Sequence, residues 1–144
     1  MPIFVGDLTN KGPKNVATVK RIKNMDAYAV RGNHDEAVVK HCLKYLQDRE
    51  YELPEKLKWT KELDSDDVRY LRDLPYTIRI PSENVIVVHA GIVPGINLEN
   101  HATSNFITMR NLYMENGILK PYERLDKGEA WASLWPGPEH VYFG

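Results

Sequence analysis

The sequence predicts a layered α/β domain, and three features predict it. A strand–helix–strand pattern opens the chain, the arrangement that builds parallel sheets with right-handed crossovers. A continuous apolar run, Val85-Ile86-Val87-Val88, has the composition of a strand covered on both faces. Polar clusters stand just past three predicted strands, where ligand sites of open α/β sheets gather.

The elements follow in order. Ile3-Phe4-Val5 reads as a buried strand that turns at Gly6-Asp7. Gly12-Pro13 opens a helix over residues 13 to 24, with Val16, Val19 and Ile22 at helical spacing. Tyr28-Ala29-Val30 is the second strand, closing at Gly32. A helix from Asp35 has Val38, Val39, Cys42, Leu43 and Leu46 on its buried side, and residues 48 to 62 are charged and irregular. Ser65-Asp66-Asp67 starts a third helix with acidic residues in its first turn, and Pro75 stops it. Thr77 to Ile80 alternates like a strand, and Val85 to Val88 follows. Residues 95 to 130 are mixed, with weak helical signal around Ile107 to Met114. Val141-Tyr142-Phe143 is strand-like. No repeat or linker interrupts the chain, so residues 1–144 read as one domain.

Composition narrows the function. With 42% hydrophobic and 27% charged residues, the chain can bury a core and is not a disordered tail. A formal net charge of −1 gives no global drive toward nucleic acid or an anionic membrane. No apolar run approaches the roughly 18–20 residues of a membrane helix. The single Cys42 excludes an intrachain disulfide and, with no targeting segment, leads us to expect a cytoplasmic protein. Both ends read as cut, because strand-like runs stand at each terminus without flanking chain.

The polar clusters are Gly6-Asp7, Arg31-Gly32-Asn33-His34-Asp35 and His89-Ala90-Gly91. Each alone is most simply a turn, or a hydrogen-bonded histidine. In order, each at a strand end, they form a constellation. A carboxylate, an amide oxygen and an imidazole suit manganese, iron or zinc.

The residues Gly6-Asp7-x-x-x-Lys11-Gly12-Pro13, Arg31 to Asp35 and Val88-His89-Ala90-Gly91 resemble the middle three motifs of the calcineurin-like metallophosphoesterases. Ser133-Leu134-Trp135-Pro136-Gly137-Pro138 is similar to a Leu-Trp segment of their phosphoprotein phosphatase branch. The resemblance implies a four-layer α/β/β/α sandwich and two divalent metals about 3.5–4 Å apart. It implies that Asp7 bridges both metals and that Asn33 and His89 bind the second. His34 would protonate the leaving oxygen, Arg31 would hold a phosphate oxygen, and Lys11 would assist substrate binding. A metal-bridging hydroxide would attack phosphorus, cleaving a phosphoanhydride or phosphomonoester. Asn10 stands where protein phosphatases carry an Asp that orients the general-acid histidine. Asn10-Lys11-Gly12-Pro13 looks more like diadenosine tetraphosphatase-like and polyphosphatase-like members, so nucleoside polyphosphate, polyphosphate or a phosphorylated small molecule is the implied substrate.

Two family motifs are missing, an Asp-x-His before Asp7 and a His after the last strand. The resemblance therefore implies a partial domain that keeps mainly the second-metal ligands. Two other readings stand beside the enzyme: a non-catalytic phosphate-binding or interaction module, and a protein serine/threonine phosphatase, which Asn10-Lys11 disfavours. Outside the motifs, His41, His101 and His140 read as structural. Lys14, Lys20, Arg21 and Lys23 read as a solvated basic face able to steer polyanions. Trp59, Trp131 and Trp135 read as packing residues.

Overall fold

In the computed structural model, which describes residues 1–144, the first strand is β1 (Ile3–Phe4). It is short because Gly6 and Asp7 turn the chain at φ 91° and 54°. Helix α1 (Asn15–Lys23) returns the chain, burying Val19 and Ile22. Its start is tied by its own Asn15, which donates to the Gly12 carbonyl and accepts from the Asn10 N–H. Strand β2 (Tyr28–Ala29) then pairs parallel with β1, Ile3 opposite Tyr28 and Phe4 opposite Ala29, as the strand–helix–strand pattern predicts.

Helix α2 (Asn33–Gln47) buries Val38, Val39 and Cys42. Leu43 and Leu46 depart from the expected buried side, being 39% and 47% exposed. Leu46 lines an open groove of about 200 Å³ with Cys42, Leu63 and Val68, so nothing covers the last turn of that helix face. The charged stretch that follows winds into 3-10 turns over Glu55–Glu62, burying Leu57 and Thr60. Helix α3 (Ser65–Asp73) begins at the predicted residue because Asp64 caps it: the Asp64 carboxylate accepts from the Asp67 N–H at 2.8 Å, and the Asp67 carboxylate from the Asp64 N–H at 3.2 Å. The Asp67 side chain is fully buried, and Lys20 and Lys23 of α1 each reach it at 2.5 Å. These elements form one compact unit, Met1–Pro75.

The second unit, Tyr76–Gly144, holds two sheets. Strand β3 (Thr77–Ile80) pairs antiparallel with β4 (Val85–Val88) around a turn in which Asn84 takes φ 55°. Helix α4 (Thr103–Thr108) is short, and a hairpin follows it: β5 (Asn111–Glu115) and β6 (Ile118–Tyr122), with β7 (Glu129–Ala130) on the other side of β5. Strand β8 (His140–Tyr142) completes the first sheet, parallel to β4. Ile86, Val87 and Val88 are buried between β3 and β8, as their apolar run predicts.

The hairpin corrects the expected helix over Ile107 to Met114, which ends at Thr108. Asn116 and Gly117 adopt φ 51° and 76°, the two left-handed residues of a two-residue hairpin turn. That Asn-Gly pair is a strong local hairpin signal. On β5, Leu112 is 1% exposed and Met114 63%. The sheet's two faces, with buried Met109 before them, had the appearance of a helical period.

Gly117→Ala should cost about 1–2 kcal/mol, the left-handed backbone penalty alone, since a Cβ there meets nothing within 4 Å; urea denaturation measures it. Acid stability should follow the α1–α3 contact. The Asp64 carboxyl is held at about 2, first by the Asp67 N–H and then by Lys20. Burial pushes the Asp67 carboxyl up, but hydrogen bonds from Lys20 and Lys23 leave it lowered overall. Folded values below unfolded ones mean stability present above about pH 4 and lost as pH falls toward about 2. Melting temperatures across that window should fall less steeply in Asp67→Asn than in the parent.

Candidate active site

Three predicted site residues come together at the end of β1 and the start of α2. A Cβ at Gly32 would overlap both the backbone nitrogen and the carboxylate of Asp7, so only glycine lets the two loops approach this closely. The Asp7 carboxylate accepts the backbone N–H of His34 at 3.1 Å. This donor belongs to the first turn of α2, where a helix favours negative charge. The other Asp7 oxygen lies 3.9 Å from His34 Nε2, beyond hydrogen-bond length. Asn33, the first residue of α2, is exposed beside them.

Asp35 fixes this arrangement. Its carboxylate is fully buried and accepts the Gly32 N–H at 3.0 Å and the Thr9 hydroxyl at 2.9 Å. Burial raises its carboxyl above the usual range, opposed by these donors and the Leu8 N–H. Thr9 and Asp35 are the residues to which sequence reasoning assigned no role. The available signal was the position of Asp35 as the third residue of a helix, where a carboxylate turns back to the residue before the helix.

Arg31 is already engaged. Its guanidinium, with a side chain 10% exposed, donates to Glu36 at 2.7 Å and to the Arg72 carbonyl at the end of α3. The Asn10 side-chain amide oxygen accepts from the Trp59 indole at 3.2 Å, and the carboxylate nearest His34 is that of Asp7. Lys11 is exposed at the loop surface. Of the expected basic face, Lys20 and Lys23 are committed to Asp64 and Asp67.

In the second unit His89 follows β4 directly and is half-buried. Its loop is pinned on three sides. The His89 carbonyl accepts from the Gly144 N–H at 3.0 Å, and the Ala90 N–H donates to Phe106 at 2.7 Å. The Ala90 carbonyl accepts from the Trp131 indole at 2.9 Å. A Cβ at Gly91 would stand 2.6 Å from Trp131 Nε1 and 2.7 Å from Met109 Cε. Trp131 is therefore a packing residue that also positions the His89 loop. His101 is structural: its Nε2 accepts from the Val93 N–H, its Nδ1 meets the Asn97 carbonyl, and it stacks on Phe106. His41 meets the Tyr51 hydroxyl at 2.7 Å.

The family model for calcineurin-like phosphoesterases matches residues 2–141. The chain belongs to the calcineurin-like phosphoesterase family. It is 29% identical over 137 residues to a symmetrical bis(5'-nucleosyl)-tetraphosphatase of Shewanella putrefaciens, covering 88% of this chain and 47% of the relative. A protein of the same name from Aliivibrio salmonicida is 33% identical over 102 residues, 67% of this chain and 36% of the relative. The solved structure described as "Crystal structure of a putative diadenosine tetraphosphatase" superposes with a TM-score of 0.84 at 37% identity, covering 98% of this chain and 60% of that one. The mixed α/β architecture is thus that of this phosphoesterase family. The chain spans about half the length of the curated relatives it matches.

No three His, Cys, Asp or Glu side chains of this chain cluster to hold a metal. The expected donor set draws on only one carboxylate, Asp7, and one imidazole, His89; its third member, Asn33, is an amide. A carboxylate, an amide oxygen and an imidazole fit a divalent transition metal in donor chemistry. No helix is long and apolar enough to cross a membrane.

Gly32→Ala should lower unfolding free energy by about 1–3 kcal/mol through overpacking against Asp7. Gly12→Ala, where a Cβ meets nothing within 4 Å, should change it far less. Equal effects in denaturation would show that the Gly32–Asp7 approach is not constrained.

Proposed function

We propose that this chain is the catalytic region, or a part of it, of a metal-dependent phosphoesterase that cleaves phosphoanhydride bonds of nucleoside polyphosphates, diadenosine tetraphosphate above all. The observation that carries this is the Gly32–Asp7 approach, which sets a carboxylate against the first turn of α2. The names of the curated relatives support the substrate class. One family match running from residue 2 to 141 supports reading the two units as parts of one domain.

In this reading Asp7, Asn33 and His89 would hold manganese, iron or zinc as part of a two-metal site. Bound divalent metal supplies charge neutralisation at the phosphoryl group. His34 gives its proton to the leaving oxygen, held beside the Asp7 carboxylate. Arg31 holds a phosphate oxygen in its guanidinium fork, Lys11 meets the outer phosphates, and Asn10 secures the loop that carries Asp7 through Trp59. The cytoplasm is the proposed location.

A second reading is a phosphate-binding module without turnover. What favours it is that the expected donor set holds a single carboxylate, Asp7, and a single imidazole, His89, few for two metal ions. Manganese-supplemented turnover on diadenosine tetraphosphate, polyphosphate, a phosphopeptide and p-nitrophenyl phosphate separates these readings. Preference for diadenosine tetraphosphate supports the proposal, preference for the phosphopeptide points to a protein phosphatase, and binding without turnover supports the module.

Asp7→Asn should abolish turnover, because an amide cannot neutralise two cations. His34→Asn should keep its metal, by elemental analysis, and lose roughly 10²–10⁴ in rate, the size of general-acid catalysis. The loss should be smaller on p-nitrophenyl phosphate, whose leaving group needs little protonation, than on an alkyl phosphate. Equal losses on the two substrates would remove His34 as the acid.

A further inference from the structure

The Arg31 guanidinium does not wait open for an anion. It is nearly buried, one terminal nitrogen donates to Glu36 at 2.7 Å, and the other donates to the Arg72 carbonyl. Glu36 differs from Arg31 in one decisive respect: its side chain is 39% exposed. It sits one turn into α2, its backbone N–H bonded to the Gly32 carbonyl at 3.0 Å, so its anchor is the same loop that carries Asn33 and His34. The carboxylate can therefore swing into water without disturbing the helix, while the guanidinium has nowhere comparable to go. The acidic surroundings extend further, since the Asp73 carboxyl is lowered by Arg72 first and also feels the charge of Arg31.

A guanidinium binds an anion best through two adjacent N–H groups. With one terminal nitrogen engaged by a carboxylate and the other by a carbonyl, an incoming phosphate has to compete for that fork. It must also tolerate the negative charge of Glu36 alongside. A singly linked phosphate brings little surplus charge to this contest. A phosphoanhydride chain brings several charges along its length and can displace one carboxylate.

Resting on the reading of Arg31 as the phosphate contact, we propose that Glu36 is a specificity-determining residue that holds Arg31 in a closed ion pair and thereby selects polyphosphate chains over single phosphates. Glu36 touches no reacting atom. It acts through Arg31.

The test uses two inorganic probes, phosphate and tripolyphosphate, titrated against the melting temperature of the chain so that affinity is read without turnover. Glu36→Gln keeps the size and a hydrogen-bond acceptor but removes the charge, and Glu36→Ser is the second variant should the first destabilise α2. Either should bind phosphate about fivefold more tightly, the contribution of a partly exposed ion pair. Tripolyphosphate affinity should rise less, so the ratio between the two probes shrinks. A general loosening of the fold would not move that ratio. Unchanged phosphate affinity in a folded Glu36 variant overturns the proposal. Arg31→Gln separates this from failure of the underlying reading. If it weakens both probes while Glu36→Gln strengthens neither, Arg31 stands as the phosphate contact and Glu36 is only structural. If Arg31→Gln weakens neither, the phosphate role of Arg31 and the proposal fall together.

Discussion

Three donors converge on the buried carboxylate of Asp35: the Gly32 N–H, the Thr9 hydroxyl and the Leu8 N–H. They come from the loops after β1 and before α2, so one side chain clamps the two segments that carry Asp7, Asn33 and His34. A buried carboxylate costs several kcal/mol unless hydrogen bonds compensate it. Here burial outweighs the donors and the carboxyl is raised. Its stabilising share is then full below the unfolded value and declines as pH rises through the folded one. The fold gives up some stability near neutrality to hold this corner rigid. The close packing of Gly32 on Asp7 is the geometric result.

The second unit solves the same problem without a charge. His89 extends from β4 into a loop whose backbone is held by Trp131, Phe106 and Gly144. Gly91 lets Trp131 lie against that loop. In both units a polar residue at a strand end is positioned by a glycine that admits a close neighbour and by a hydrogen bond from a residue remote in sequence. The strands themselves are too short, two residues in β1 and four in β4, to fix a loop unaided.

Positive charge around the Asp7 corner is partly spoken for. Lys20 and Lys23 serve the buried Asp67 rather than solvent, and Arg31 serves Glu36. Lys11, Lys14 and Arg21 remain exposed. A basic stretch in the sequence therefore does not translate into an anion-binding surface, because tertiary partners neutralise about half of it. The same logic redirects Asn10: its side-chain amide oxygen is claimed by Trp59, a residue 49 positions away.

Local chemistry was enough to mark β1, α1, β2, the start of α3 and strands β3 and β4, since each depends on residues a few positions apart: apolar spacing in Val16–Ile22, the acidic first turn at Ser65-Asp66-Asp67, the Pro75 stop, the run at Val85. The Asn116-Gly117 turn is equally local, but the expected helix over Ile107 to Met114 passed it by, because the apolar residues around Met109 and Leu112 lie at a spacing that a helix shares with a strand. Motif order in the sequence alone marked Asp7, Asn33, His34 and His89 and the family to which they belong. Only the tertiary structure decided which side chains are engaged: Arg31 with Glu36 and Arg72, Asn10 with Trp59, Asp35 with Thr9, Leu46 left at an open groove. The reason is physical. A residue type and its neighbours in the chain set what a side chain can do, but its burial and most of its partners, Arg72 for Arg31, Trp59 for Asn10 and Thr9 for Asp35, come from segments tens of positions away, which no local pattern encodes.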